Sequence, residues 1–111
     1  MKLPAVYHDL NPRQRRDVRS AYVKVQKGLC WYCATRLKDS PAQFVLNYQV
    51  DISLFPTGFF TWPVHLHHDR VTGLTVGAVH ARCNAVSWMK DEVPVLQQLA
   101  KEISGASITT K

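Results

Sequence analysis

The 111-residue chain is 46% hydrophobic and 20% charged with a formal net charge of +6, the composition of one folded domain, and this excludes a disordered chain. No apolar run approaches the roughly 20 residues that span a bilayer, and "MKLPAVYHDL" lacks a secretory apolar stretch, so a cytoplasmic protein with no membrane partner is expected. Three cysteines are an odd number for a disulfide framework, and in a reducing compartment they stay available to a metal.

The charge is uneven along the chain. Residues 1–38 hold nine basic groups against Asp9 and Asp17, and the remainder is close to neutral. Clustered basic charge points to a polyanion such as DNA, with a solvated helix face as the plain alternative. Asn11 before Pro12 is a helix-start signal and Gly28 a stop, which predicts a helix over 12–27. Val18, Ala21, Tyr22 and Val25 fall on one stripe expected to be buried, and Arg13, Arg15, Arg16, Arg19, Lys24 and Lys27 on the complementary arc. A helix with a basic back can lie against a phosphate backbone without disturbing its packed side.

A Cys-rich turn, "GLCWYCATRL", follows the helix. Residues 44–52 alternate Phe44, Leu46, Tyr48, Val50 and Ile52 with mostly polar neighbours, which predicts a half-buried strand. "FPTGFFTWP" reads as a structured connection, with Phe59, Phe60 and Trp62 expected in the core rather than stacking on bases. Val64–His67 and Leu74–Val79 are predicted strands joined by a turn over Asp69–Gly73. Helices are predicted from Ala81 to about Lys90 and from about Val95 to Ile103, before a frayed tail "ASITTK". With no repeat or low-complexity linker, residues 1–111 are expected to form a single domain.

Cys30 and Cys33 are separated by two residues, and His80 and Cys83 repeat that spacing. Two such knuckles, at 30–33 and 80–83, complete the tetrahedron of a structural zinc ion, a closed Cys3His set with no open position. Taken alone, the first pair also fits a redox motif, and His80 alone an ordinary histidine at a strand end. Between the knuckles lies "PVHLHHDRVTG". On a strand His65 and His67 share a face and His68 takes the other, and His65 is expected to support its neighbours by packing.

"CWYC", then "HLHHDRVTG", then "GAVHARCNAV" together resemble the zinc-bearing HNH endonucleases of the ββα-metal fold, close to the recombination endonuclease VII group common in bacteriophages. The likeness covers roughly residues 12–90. It implies an α+β fold: a catalytic hairpin and helix over about 64–90, stapled by structural zinc and preceded by the basic helix. The family pattern Asp-His-x-His-x-Thr-Gly falls on His67 to Gly73, which implies His67 as ligand of a catalytic divalent metal and His68 as general base. The asparagine after the second knuckle, Asn84, is implied as the second ligand.

His67 stands where this group usually has a carboxylate, so Mg2+ should bind weakly and Mn2+, Co2+ or Ni2+ be relatively favoured. Arg70 stands where a histidine is common and Val76 where a basic residue often precedes the glycine; Arg70 and Arg82 are further candidate phosphate contacts. The implied activity is hydrolysis of DNA phosphodiesters to 3′-hydroxyl and 5′-phosphate ends by a nicking, homing or recombination enzyme. A zinc-stabilised DNA-binding module without catalysis, a metal-dependent RNase and a junction resolvase remain alternatives. Monomer and homodimer are both open.

Overall fold

Asn11 starts the first helix through a reciprocal pair of bonds. Its side chain accepts from the Gln14 N–H at 2.8 Å, and the Gln14 side chain accepts from the Asn11 N–H at 2.9 Å. Pro12 occupies the first turn, where its missing N–H leaves nothing unsatisfied. The computed structural model describes residues 2–90, so the predicted helix near Val95–Ile103 and the tail lie outside the described residues. Helix α1 runs Pro12–Val25 and ends two residues before the expected boundary, because Lys27 and Gly28 turn into positive φ at 58° and 77°.

The remaining elements are α2 (Gln43–Leu46), β1 (Val64–His68), β2 (Thr75–His80) and α3 (Ala81–Met89), with short 3-10 turns at Tyr7–Asp9 and Ile52–Leu54. β1 and β2 form an antiparallel hairpin, so the described part is a small α+β fold with a two-stranded sheet. His65 pairs with Val79, His67 with Gly77 and His68 with Thr75, and the skipped Val76 makes a bulge between the last two pairs. Residues 77–80 are buried in succession, so β2 is covered on both faces. Asp69 shapes the turn by accepting from the Val71 N–H at 2.8 Å.

The core gathers Val18 and Tyr22 of α1, Val45 of α2, Leu66 of β1, and Ala78 and Val79 of β2. Tyr22 also places its hydroxyl 2.8 Å from Thr75 Oγ1. At the end of α1 the Gln26 side chain lies along β2. It accepts from the Ala78 N–H at 2.8 Å and donates to the Ala78 carbonyl at 2.9 Å. Gly77 makes room for it, since a Cβ there would stand 2.8 Å from the Gln26 side-chain oxygen and 3.0 Å from Trp31.

Three expectations are corrected. Val25, the last residue of α1, is 70% exposed where the chain turns off at Lys27 and Gly28, and Val23 packs against the core in its place. Residues 44–52 form no strand: they hold α2 and the start of the second 3-10 turn, with Val45 buried and Phe44, Leu46 and Ile52 exposed. The reason is tertiary, for the Arg82 side chain donates to the carbonyls of Val45, Leu46 and Tyr48 and gathers them into a turn. Trp62 is 72% exposed, whereas Phe59 and Phe60 are half-buried in a cluster with Phe55.

Candidate metal centre and histidine cleft

The two knuckles meet. Cys30 and Cys33 sit in the turn after α1, His80 at the end of β2 and Cys83 in the first turn of α3, and their ligand atoms all lie within 4.8 Å of one another. His80 Nδ1 is 3.6 Å from Cys33 Sγ and 3.5 Å from Cys83 Sγ. A tetrahedral zinc ion with its usual bond lengths sets neighbouring sulfur and nitrogen ligands about 3.5 Å apart, which these two distances match, so the cluster could hold zinc. The other ring nitrogen of His80 donates to the carbonyls of Arg36 and Asp39 at 3.0 and 2.9 Å. Those bonds place the hydrogen on Nε2 and leave Nδ1 as the donor atom for a metal.

The electrostatics agree with that use. The Cys30 thiol is lowered to about 4, first by a hydrogen bond from Cys83, against the opposing effect of burial. The Cys83 thiol is pushed strongly up by the same contact. His80 is raised, because its contacts with Cys30 outweigh its own burial. Crowded sulfurs that compete for protons are the arrangement a dication relieves.

A second group gathers the histidines of β1. His65 and His67 both turn to α3: His67 Nδ1 is 3.1 Å from Asn84 Oδ1, and Asn84 Nδ2 is 3.1 Å from His65 Nδ1. His68, beyond the bulge, points toward the N-terminal segment. Its ring stacks on Tyr7 at 3.9 Å with planes 11° apart, and His8 meets it edge-on at 5.4 Å. All three histidines and Asn84 nevertheless line one cleft of about 510 Å3, with Arg15 and Arg19 of α1 on its wall.

Burial lowers His65, His67 and His68 below the usual histidine value. At His68 electrostatic interaction with His8, His67 and Arg15 adds to that effect, and Asp69 opposes it. A neutral imidazole facing a cleft can accept a proton near pH 7.

The expected basic arc divides. Arg13, Arg16, Lys24 and Lys27 are exposed, whereas Arg15 and Arg19 are half-buried at the cleft. Arg15 lies over the Tyr7 ring at 4.1 Å, so Arg15 and His68 both pack on Tyr7. Arg70 is exposed and lies over the Trp88 ring at 4.5 Å. Arg82 holds the carbonyls of the α2 turn, a structural engagement of a residue expected at phosphate. Sequence reasoning missed Tyr7 and His8, which lie outside any periodic pattern; the stacking partner of His68 has no signal in its own neighbourhood.

Comparison of the chain with family models, curated proteins and solved structures returned no significant match. Among the described residues no helix is long and apolar enough to cross a membrane.

Proposed function

We propose that the chain is a metal-dependent DNA endonuclease of the HNH type, with β1, β2 and α3 as its ββα-metal unit. The observation that carries this reading is the convergence of His67 Nδ1 and Asn84 Oδ1, 3.1 Å apart, in the cleft that His68 also lines. A ring nitrogen and an amide oxygen that close suit two ligands of one cation. Both are neutral, so the substrate phosphate must help to hold it. Mn2+, Co2+ or Ni2+ should then serve better than Mg2+. When bound there, a divalent ion supplies charge stabilisation to the scissile phosphate and the leaving oxygen.

The side chains divide the remaining work. His68 takes a proton from the attacking water, a role that its lowered basicity favours by keeping the ring neutral. Arg15 and Arg19 on the cleft wall bind phosphates, and the exposed Arg13, Arg16, Lys24 and Lys27 extend that contact along the backbone. The Cys3His cluster fixes the start of α3 and therefore the place of Asn84.

The test is nicking of supercoiled plasmid with Mn2+, Co2+, Ni2+ or Mg2+, comparing the protein with His68→Ala. Loss of roughly 10²–10⁴-fold in rate is expected on removing the base, with DNA binding and zinc content retained. DNA binding with no cutting under any of these ions would identify a binding module instead. Equal cutting by His68→Ala would remove the base from this position.

A further inference from the structure

We infer that His65 is a positioning residue that turns the Asn84 side-chain amide so that its oxygen, not its nitrogen, faces His67. The inference rests on the metal-site reading above and extends it to a residue in neither proposed catalytic role.

Donors and acceptors decide how the amide turns. The Phe59 carbonyl, 2.8 Å from His65 Nε2, can only accept, so Nε2 carries the ring hydrogen. In the neutral ring Nδ1 is then an acceptor. The Asn84 amide group 3.1 Å from it must offer N–H, which directs the carbonyl oxygen toward His67 Nδ1 at 3.1 Å. A flipped amide would set two acceptors against each other at His65 and turn an N–H group, useless to a cation, toward His67. Asparagine has no preference of its own between these orientations. The choice is made two bonds away, at the backbone of the aromatic segment. The Phe59 ring also meets the His65 ring edge-on at 4.6 Å and 76°, which limits rotation of the imidazole. The segment "FPTGFF" thereby acquires a task in the cleft although it supplies no ligand itself.

Two substitutions separate this role from packing. His65→Phe keeps a ring and removes the acceptor, whereas His65→Asn restores an acceptor near the position of Nδ1. Both are made in a His68→Ala background, so that a DNA duplex stays uncut while Mn2+ is titrated onto the complex and followed by water-proton relaxation. His65→Phe should weaken Mn2+ binding about 10–100-fold, and His65→Asn should recover most of that loss. Zinc content and thermal unfolding should be unchanged in both. On the unsubstituted zinc-loaded protein without Mn2+, nitrogen NMR should find the His65 hydrogen on Nε2 and the Asn84 amide hydrogens next to His65.

Equal Mn2+ affinity for the parent and His65→Phe, or a hydrogen on His65 Nδ1, would overturn the inference and leave the metal site standing. Failure of the parent itself to bind Mn2+ would remove the metal site and this inference with it. Should His65→Phe not fold, the NMR measurement on the intact protein still decides.

Discussion

Cys83 and Asn84 are neighbours on α3, yet they face two very different environments. Cys83 is fully buried among two other sulfurs and an imidazole. Asn84 is half-buried and lines a cleft large enough for ligand or solvent. The Cys3His corner is a complete donor set closed on itself, and its second ring nitrogen is tied to backbone carbonyls. The histidine cleft faces outward and, on the proposed reading, is an incomplete donor set. One helical turn thus joins a place suited to stability to a place suited to exchange, and a shift at the first is carried directly to the second.

The largest break in this comparison is loss of the corner. Cys83→Ser or removal of metal by a chelator should unfold or loosen the domain, since zinc binding is worth on the order of 10 kcal/mol in small metal-stapled folds. Circular dichroism with metal analysis checks this, and a cooperative fold that persists without zinc would contradict it. His68→Ala should leave that fold and its zinc intact, the opposite pattern.

A smaller effect tests the cleft. His67→Asp supplies the missing negative charge, so Mg2+-supported cleavage should rise relative to Mn2+-supported cleavage, by about tenfold if the carboxylate contributes on the order of 1.4 kcal/mol at this site. An unchanged metal preference in a nicking assay would show that residue 67 does not touch the ion. Smaller again is the effect of one exposed cation on α1. Arg16→Ala should weaken DNA binding similarly across sequences and lower the salt slope by about 1, measured by fluorescence anisotropy at several ionic strengths.

The smallest effect is in the pH profile. In the proposed nuclease cleavage needs His68 neutral, so its rate should fall as pH drops through the His68 pKa. Because burial and electrostatic interaction with His8, His67 and Arg15 lower that pKa, the acid limb should lie below the ordinary histidine value and activity should be level through neutrality. Arg15→Gln removes one of those charges and should move the limb upward. A limb at or above the ordinary value in the unsubstituted protein would contradict the described surroundings of His68.

How much of this was legible beforehand follows from the range of the forces involved. The hairpin, α3 and the four zinc-type ligands could be read because each is announced locally, by a turn sequence, a period or a two-residue gap. The end of α1 was misjudged because Lys27 and Gly28 turn into positive φ and the Gln26 side chain bonds β2, 52 residues away. Residues 44–52 looked like a strand because alternation is a local signal, whereas the Arg82 contacts that gather the turn come from 34 to 37 residues further on. The stack of Tyr7 on His68 was invisible for the same reason. Of the cleft, the family resemblance implied that His67 and Asn84 meet, but the His65 to Asn84 contact had no signal, because it depends on how α3 leans on β1.

The Gln26 side chain also bears on how copies of the protein meet. A two-stranded sheet has two edges, and an open edge invites a strand from another molecule. Here the Ala78 N–H and carbonyl are taken by the Gln26 amide, and that carbonyl also accepts from the Trp31 N–H at 3.0 Å. The Thr75 N–H donates to the Ala5 carbonyl at 2.8 Å. A side chain and two stretches of coil therefore do for β2 what a third strand would do. This part of the sheet is closed to edge-to-edge growth, a safeguard against aggregation that leaves the cleft uncovered.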